Sequence, residues 1–318
     1  MSWRPTAPPA ALALRARLLE TTRAFFRERG VLEVTTPVAV RHGVTDPQLA
    51  SFALAGDGPR YLQTSPEYAM KRLLAAGSGD IFQVCQVFRD DERSRLHNPE
   101  FTLVEWYRVG FDLPQIMEET AGLVARLLTT AGAAPRTLQP LSYREAFAPL
   151  GIDPLTVEET RLRKLARDRG LAAPATQALD RDGLLDFLIA VVIGPTLGRN
   201  ALCALHHYPA SQAALARHDP QQPGTALRFE LYADGIELAN GYVELADAAE
   251  QQRRFESDRQ VRARLGRADM QPDASLLAAL AAGLPDCAGV ALGFDRVLML
   301  AAGAGSIDEV IAFTWENA

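Results

Sequence analysis

FRDDERSRLHNPEFTLVEWYR, residues 88–108, crowds arginines, carboxylates, a histidine and aromatic rings between two stretches of alternating apolar residues. The run before it sets Phe82, Val84, Gln86 and Phe88 against Gln83, Cys85, Val87 and Arg89, and the run from Phe101 to Val109 alternates in the same way. A period of two residues is the strand period, so both runs are read as strands and the whole as a hairpin. Side chains on a strand alternate between faces, which puts Phe101, Glu105 and Tyr107 on one side and Trp106 and Arg108 on the other. One face of the hairpin can therefore turn an aromatic ring, a carboxylate and a phenol towards a ligand.

The connecting loop carries Asp90, Asp91, Glu92, Arg93, Arg95, His97 and Asn98. An arginine at a strand end can fork onto phosphate oxygens, a histidine can reach an outer phosphate, and a ring can stack on a purine. The competing reading is a solvated, salt-bridged surface loop, the usual fate of a charge run.

Working outward, 318 residues with 48% hydrophobic content suffice for a large buried core. Arg15 and Arg17 interrupt the apolar residues near the N-terminus, so no signal or membrane segment is read there and a soluble, cytoplasmic protein is expected. Three widely spaced cysteines, Cys85, Cys203 and Cys287, argue against a disulfide framework or a zinc site and are read as buried thiols. The formal charge of −6 is a poor basis for holding a long polyanion. Lys71 and Lys164 are the only lysines, so a phosphate grip must come from arginine.

Residues 12–29 read as an opening helix closed by Gly30, and a strand runs from there towards Pro37. A short helix follows TSPE. The middle third, about 113–200, reads as helices joined by turns at Pro140, Pro154 and Pro174, with no chemistry assigned to it. Strands return with ALCALHHYP and RFELYADGIELANGYVEL, where Asp234-Gly235 marks a tight turn, and Asp247 with Glu250 reads as a capping box. These elements predict an α+β fold on a mostly antiparallel sheet flanked by helices, one domain over residues 1–318 with a helical insertion at about 113–200.

Two further segments carry chemical content. In GIELANGYVEL, Glu237 and Glu244 are seven apart and fall on opposite faces of a regular strand, but a bulge or bend at Asn240-Gly241 would bring them to one side. Converging carboxylates beside polyphosphate suit magnesium; the alternative is that one is a surface residue. In GVALGFDR, residues 289–296, Gly289 and Gly293 permit close approach to the backbone, and a new helix N-terminus with Arg296 favours an anion.

Together these segments resemble the signature motifs of the class II aminoacyl-tRNA synthetases: VLEVTTPV (31–38) is similar to motif 1, FRDDERSRLHNPEF to motif 2 and GVALGFDR to motif 3. HNPEFT and ELANG point to the lysyl branch, and the resemblance covers almost the whole chain. With the first helix near residue 12, no room is read for the OB-fold anticodon-binding domain of lysyl-tRNA synthetases. The chain is thereby similar to the bacterial lysyl-tRNA synthetase paralogues that ligate (R)-β-lysine to a lysine of translation elongation factor P. TSPE (64–67), with serine where the synthetase typically has alanine, Ala291 in place of glycine, and VTDPQL (44–49) resemble that paralogue group.

The resemblance implies ATP as co-substrate, magnesium, elongation factor P rather than tRNA as acceptor, and a homodimer paired through motif 1. By matching positions it places Arg89 on the α-phosphate and the substrate carboxylate as the catalytic residue. Asp91, Asn98 and Phe101 would recognise adenine, His97 and Arg296 the outer phosphates, and Glu237, Leu238 and Gly293 would line the nucleotide. Ser65, Glu67, Tyr107 and Glu244 would surround the amino acid, with Glu237 and Glu244 on magnesium. Asp91 is one methylene shorter than the usual glutamate. An amide-forming ligase on the same fold and a silent amino-acid-binding regulator are the alternatives; the strings ELANG and HNPEF count against the first, and Arg89, Arg296, Glu237 and Glu244 against the second.

Overall fold

The computed structural model describes residues 3–56 and 58–318. Its frame is an eight-stranded sheet in the order β1-β4-β5-β10-β9-β8-β7-β6. The strands are β1 (Leu32–Glu33), β4 (Ile81–Phe88), β5 (Glu100–Val109), β6 (Leu138–Ser142), β7 (Leu202–Pro209), β8 (Thr225–Ala233), β9 (Ile236–Val243) and β10 (Cys287–Gly293). Only the edge pairs β1–β4 and β6–β7 are parallel; the remaining pairs are antiparallel. A small hairpin of β2 (Ala39–Val40) and β3 (Tyr61–Leu62) stands apart.

Helices α1 (Pro9–Arg27), α3 (Leu113–Thr130) and α10 (Phe294–Ala301) cover one face of this sheet. In α1 the buried Leu14, Leu18, Phe25 and Phe26 fall on one stripe. Its end is closed where Val31 N–H donates to Phe26 and Gly30 N–H to Arg27, with Gly30 at φ +69°, a left-handed residue as such a cap requires. Phe26 stacks on Phe82 at 4.5 Å between ring centres and lies 5.3 Å from Trp106, so the helix-facing residues of β4 and β5 form the core. Asp112 starts α3 with a reciprocal capping box to Gln115. The opposite face of the same strands is left for the site.

The helical middle third divides differently from its sequence pattern. Helix α3 packs on the main core, whereas α4 (Tyr143–Phe147), α5 (Glu159–Asp168) and α7 (Arg181–Leu188) build a second core with β7, and α6 (Ala173–Ala178) rests against α5. Pro140 is not a turn: it lies within β6, an edge strand, where the missing N–H leaves no ladder bond unmade. Pro174 stands in the first turn of α6, where its missing donor is harmless.

Helices α2 (Glu67–Ala75), α8 (Ala248–Arg264) and α9 (Ala274–Gly283) close the remaining side. Asp247 caps α8 by accepting from the N–H groups of Ala249 and Glu250, but the Glu250 side chain pairs with Arg253 and Arg254 instead of completing a box. The β8–β9 hairpin turns through Asp234 and Gly235, both at positive φ. Cys203 and Cys287 are buried thiols; Cys85 is only partly so, because its side of β4 faces the cavity side of the sheet.

Candidate active site

Between the open face of the sheet and α2 lies a cavity of about 1360 Å³. That is more than most small-molecule pockets and enough for a nucleotide with a second substrate. The two-residue period of β5 brings Phe101, Leu103, Glu105 and Tyr107 to its wall, while Trp106 points into the helix-covered core. On β9 the period is broken once. Tyr232 pairs with Glu237 and Leu231 with Ala239, so Leu238 is an extra residue. The bulge thus sits at Leu238, earlier than the expected Asn240-Gly241, and it puts Glu237, Asn240, Tyr242 and Glu244 on the cavity together.

One end of the cavity is cationic. Arg89 follows β4, donates weakly to the Thr64 carbonyl at 3.4 Å and to Glu92 at 3.3 Å, and holds its guanidinium 5.1 Å from the centre of the Phe101 ring. Arg296, in the first turn of α10, donates to the Glu237 carbonyl at 2.9 Å and reaches His97 Nε2 at 2.5 Å. Ser94 Oγ holds the other ring nitrogen, 2.7 Å away. Burial, and then the Arg296 charge, push the His97 pKa down, so the imidazole stands neutral beside the arginine.

The other end is acidic. Ser65 Oγ donates to Glu105 Oε2 at 2.6 Å and Tyr107 donates to Oε1 at 2.8 Å. Glu67, the first residue of α2, accepts from Tyr242 at 3.1 Å and from Lys71 at 2.6 Å; Lys71 also lies 2.5 Å from Glu244. Burial, reinforced by Glu67, pushes the Glu105 carboxyl up to about 8. Burial likewise pushes Glu244 up to about 8, against the pull of Lys71. Gly289 of β10 makes room here, since a Cβ would collide with Glu244 and the Tyr107 ring. Gly293 has no such constraint: a Cβ there would meet nothing closer than 3.7 Å.

Three expectations are revised by this geometry. Asp91 is exposed and does not line the cavity, because its left-handed backbone, φ +68°, turns it outward; Glu92 takes the inner position beside Arg89. Asn98 borders the cavity but its amide is engaged, accepting from Trp315 N–H at 3.0 Å and donating to the Glu100 carbonyl at 2.7 Å. It ties the loop to the C-terminal segment. Glu237 and Glu244 are not a free pair for magnesium, since Lys71 takes up Glu244.

Glu237 fits a cation better. Burial and the neighbouring Glu230 raise its pKa, and Arg296 at 3.6 Å offsets that only in part. Among the described residues no group of three or more His, Cys, Asp or Glu side chains is arranged to hold a metal alone. A magnesium ion at this wall would take Glu237 and complete its shell with phosphate oxygens and water.

The structure adds residues that the sequence reading left out. Alternation places Glu105 on the ligand-facing side of β5 with Phe101 and Tyr107 but gives it no role; the structure sets it at the centre of the acidic end. Lys71 stands one helical turn after Glu67, a spacing that was equally legible. Asn240 and Tyr242 share the parity of Glu244 along β9 and so its face; only Glu237 depends on the bulge to join them. Asp180, Asp182 and Asp186 come from the segment given no chemistry and border the far side of the cavity; as residues around a helix start they look like caps, and Asp180 does cap α7. Asp295 of the GFDR string is structural: it accepts from Thr102 N–H at 2.7 Å and pairs with Arg15, tying α10 to β5 and α1.

A family model of class II tRNA synthetases (D, K and N) matches residues 1–317. The elongation factor P–(R)-β-lysine ligases of Klebsiella pneumoniae (strain 342) and Edwardsiella ictaluri (strain 93-146) are each 47% identical to the chain over 325 residues, covering all of it and 98% of the relative. The ligase of the same description from Sodalis glossinidius (strain morsitans) is 46% identical over the same span.

Proposed function

The chain belongs to the class II tRNA synthetases (D, K and N), and from that premise we propose that it is an ATP-dependent ligase that activates (R)-β-lysine and joins it to a lysine of elongation factor P. The observation that carries this reading is the division of one cavity into a cationic end, with Arg89, Arg296 and His97, and an acidic end, with Glu67, Glu105 and Glu244. Polyphosphate belongs at the first and a diamino acid at the second. The substrate carboxylate is then presented between them.

In the first step a carboxylate oxygen of the amino acid attacks the α-phosphorus, the bond to the bridging oxygen breaks, and pyrophosphate leaves. Arg89 neutralises the two anions that must meet, and Phe101 provides a face for the adenine ring. Arg296 holds the outer phosphates, and His97 orients it, its neutral Nε2 accepting from the guanidinium. Such a reaction asks the protein for positioning and charge stabilisation rather than covalent chemistry. Magnesium bound at Glu237 would neutralise phosphate charge. In the second step the ε-amine of the acceptor lysine attacks the activated carbonyl, AMP leaves, and the amine proton passes to solvent.

The same reading includes a homodimer and a cytoplasmic location. Leu32 and Val38, in the segment similar to motif 1, expose 56% and 41% of their surface and offer apolar area for a second copy. Among the described residues no helix is long and apolar enough to cross a membrane. The test is amino-acid-dependent exchange of pyrophosphate into ATP, comparing (R)-β-lysine with α-lysine, followed by transfer assays with elongation factor P and tRNA side by side. Exchange with neither amino acid overturns the activation step, and transfer to tRNA alone overturns the acceptor.

A further inference from the structure

Lys71 has no part in the steps above, yet it is among the most deeply buried side chains of the molecule, 1% exposed in the wall of the amino-acid end. Burial alone favours the neutral amine; the carboxylates of Glu244 and Glu67 outweigh it and keep Lys71 protonated. Its Nζ lies 2.6 Å from Glu67 and 2.5 Å from Glu244, and 5.7 Å from the centre of the Tyr242 ring. Glu244 is also 1% exposed, and neither of its oxygens receives a directed hydrogen bond. A buried carboxylate with an ion pair but no aligned donor is incompletely satisfied and faces the cavity.

The charges count simply. Glu67, Glu105 and Glu244 supply three carboxylates and Lys71 one ammonium, while Tyr107 and Tyr242 are neutral, their phenols held protonated first by burial and then by the surrounding carboxylates. With every carboxylate ionised, as Glu105 and Glu244 become once ammonium groups pair with them, the balance is −2. We propose that Lys71 is a positioning residue: it ties Glu67 of α2 to Glu244 beyond β9 and leaves the pocket two negative charges to spare, so that it selects an amino acid bearing two ammonium groups over one bearing a single group. This rests on the proposed function and adds to it what sets the charge class of the substrate. A salt bridge kept only for stability would be indifferent to the number of ammonium groups on the ligand.

The test uses the full chain and pyrophosphate exchange with two ligands, (R)-β-lysine and 3-aminohexanoate, which lacks the second amine. Wild type is measured first; no exchange with either defeats the proposed function and leaves Lys71 out of the question. Given an active wild type, Lys71→Met should raise the KM for β-lysine by roughly thirtyfold or more, with the KM for ATP unchanged, since truncating one partner of a buried charge pair leaves the others uncompensated. Glu67→Gln leaves one spare negative charge, and its preference for β-lysine over the single-amine analogue should fall by about tenfold or more. The double variant Lys71→Met/Glu67→Gln restores −2 and should recover discrimination relative to Glu67→Gln, although it carries one more lesion. That reversal of sign has no purely structural explanation. If Lys71→Met does not fold, the comparison of Glu67→Gln with the double variant decides. A double variant no more selective than Glu67→Gln, a Lys71→Met enzyme with unchanged KM, or failure of both Lys71 variants to fold overturns the proposal.

Discussion

Tyr107 donates its phenolic hydrogen to Glu105 Oε1 at 2.8 Å, across Trp106, which points to the opposite face of β5. With Ser65 on the other oxygen, Glu105 is held by two neutral donors in full burial, and its carboxyl is pushed up to about 8. The sign of the consequence is fixed. The folded, empty site keeps a proton that the unfolded chain releases near pH 4.5, so this group's contribution to stability is present at low pH and is lost as pH rises through about 8. Glu105→Gln should therefore raise the melting temperature at neutral pH, by on the order of 1–3 kcal/mol of stability, while abolishing amino-acid-dependent exchange. An unchanged or lowered melting temperature would contradict the assigned cost.

Binding has the opposite pH trend. Glu105 and Glu244, both near 8 in the empty pocket, must release their protons to solvent to pair with an incoming ammonium. The affinity for β-lysine should rise as pH goes from about 6 to 8, with proton release detectable by calorimetry in buffers of different ionisation enthalpy. A KM independent of pH over that range rules this out.

Arg89 stands where the reacting anions meet, and it is held only by long contacts to Thr64 and Glu92. Arg89→Ala should lower the exchange rate by about 10²-fold or more, as loss of a transition-state charge partner does, with little change in thermal stability. Full activity in this variant would remove Arg89 from the mechanism.

Arg296 touches the Glu237 carbonyl and His97 at the nucleotide end. Arg296→Ala should raise the KM for ATP by about tenfold or more and leave the KM for β-lysine nearly unchanged. The reverse split would place Arg296 on the amino acid.

Two positions on β10 control space. At Gly289 even a methyl meets Glu244 and Tyr107, so Gly289→Ala should cost about 1–3 kcal/mol of stability or displace the acidic wall and abolish exchange. Ala291, paired across the sheet with Glu105 and Asn240, borders the cavity. Ala291→Gly should shift selectivity towards α-lysine by roughly 1–3 kcal/mol, read as the ratio of the two kcat/KM values. A ratio equal to wild type would assign the isomer preference elsewhere.

Much of the site was legible from local pattern. Alternation along β5 assigns Phe101, Glu105 and Tyr107 to one face, and the structure keeps them there, because side-chain direction on a regular strand depends only on parity. Asp91 failed for an equally local reason: a single left-handed residue reverses the direction in which its side chain leaves the loop. The engagement of the Asn98 amide could not be read, since its partner Trp315 arrives from the other end of the chain.

By itself the sequence determined the α+β frame, the hairpin and its charged loop, the cationic end of the cavity and the family to which the chain belongs. These follow from periodicity and from motif strings, which are short-range. Tertiary structure decided that an extra residue at Leu238 turns Glu237 and Glu244 to the same side, that Lys71 of α2 lies between Glu67 and Glu244, and that the acidic middle segment borders the cavity. Those outcomes depend on how elements far apart in the chain dock, and on the burial that docking imposes. Burial makes each uncompensated charge costly, and therefore makes its partner part of the function.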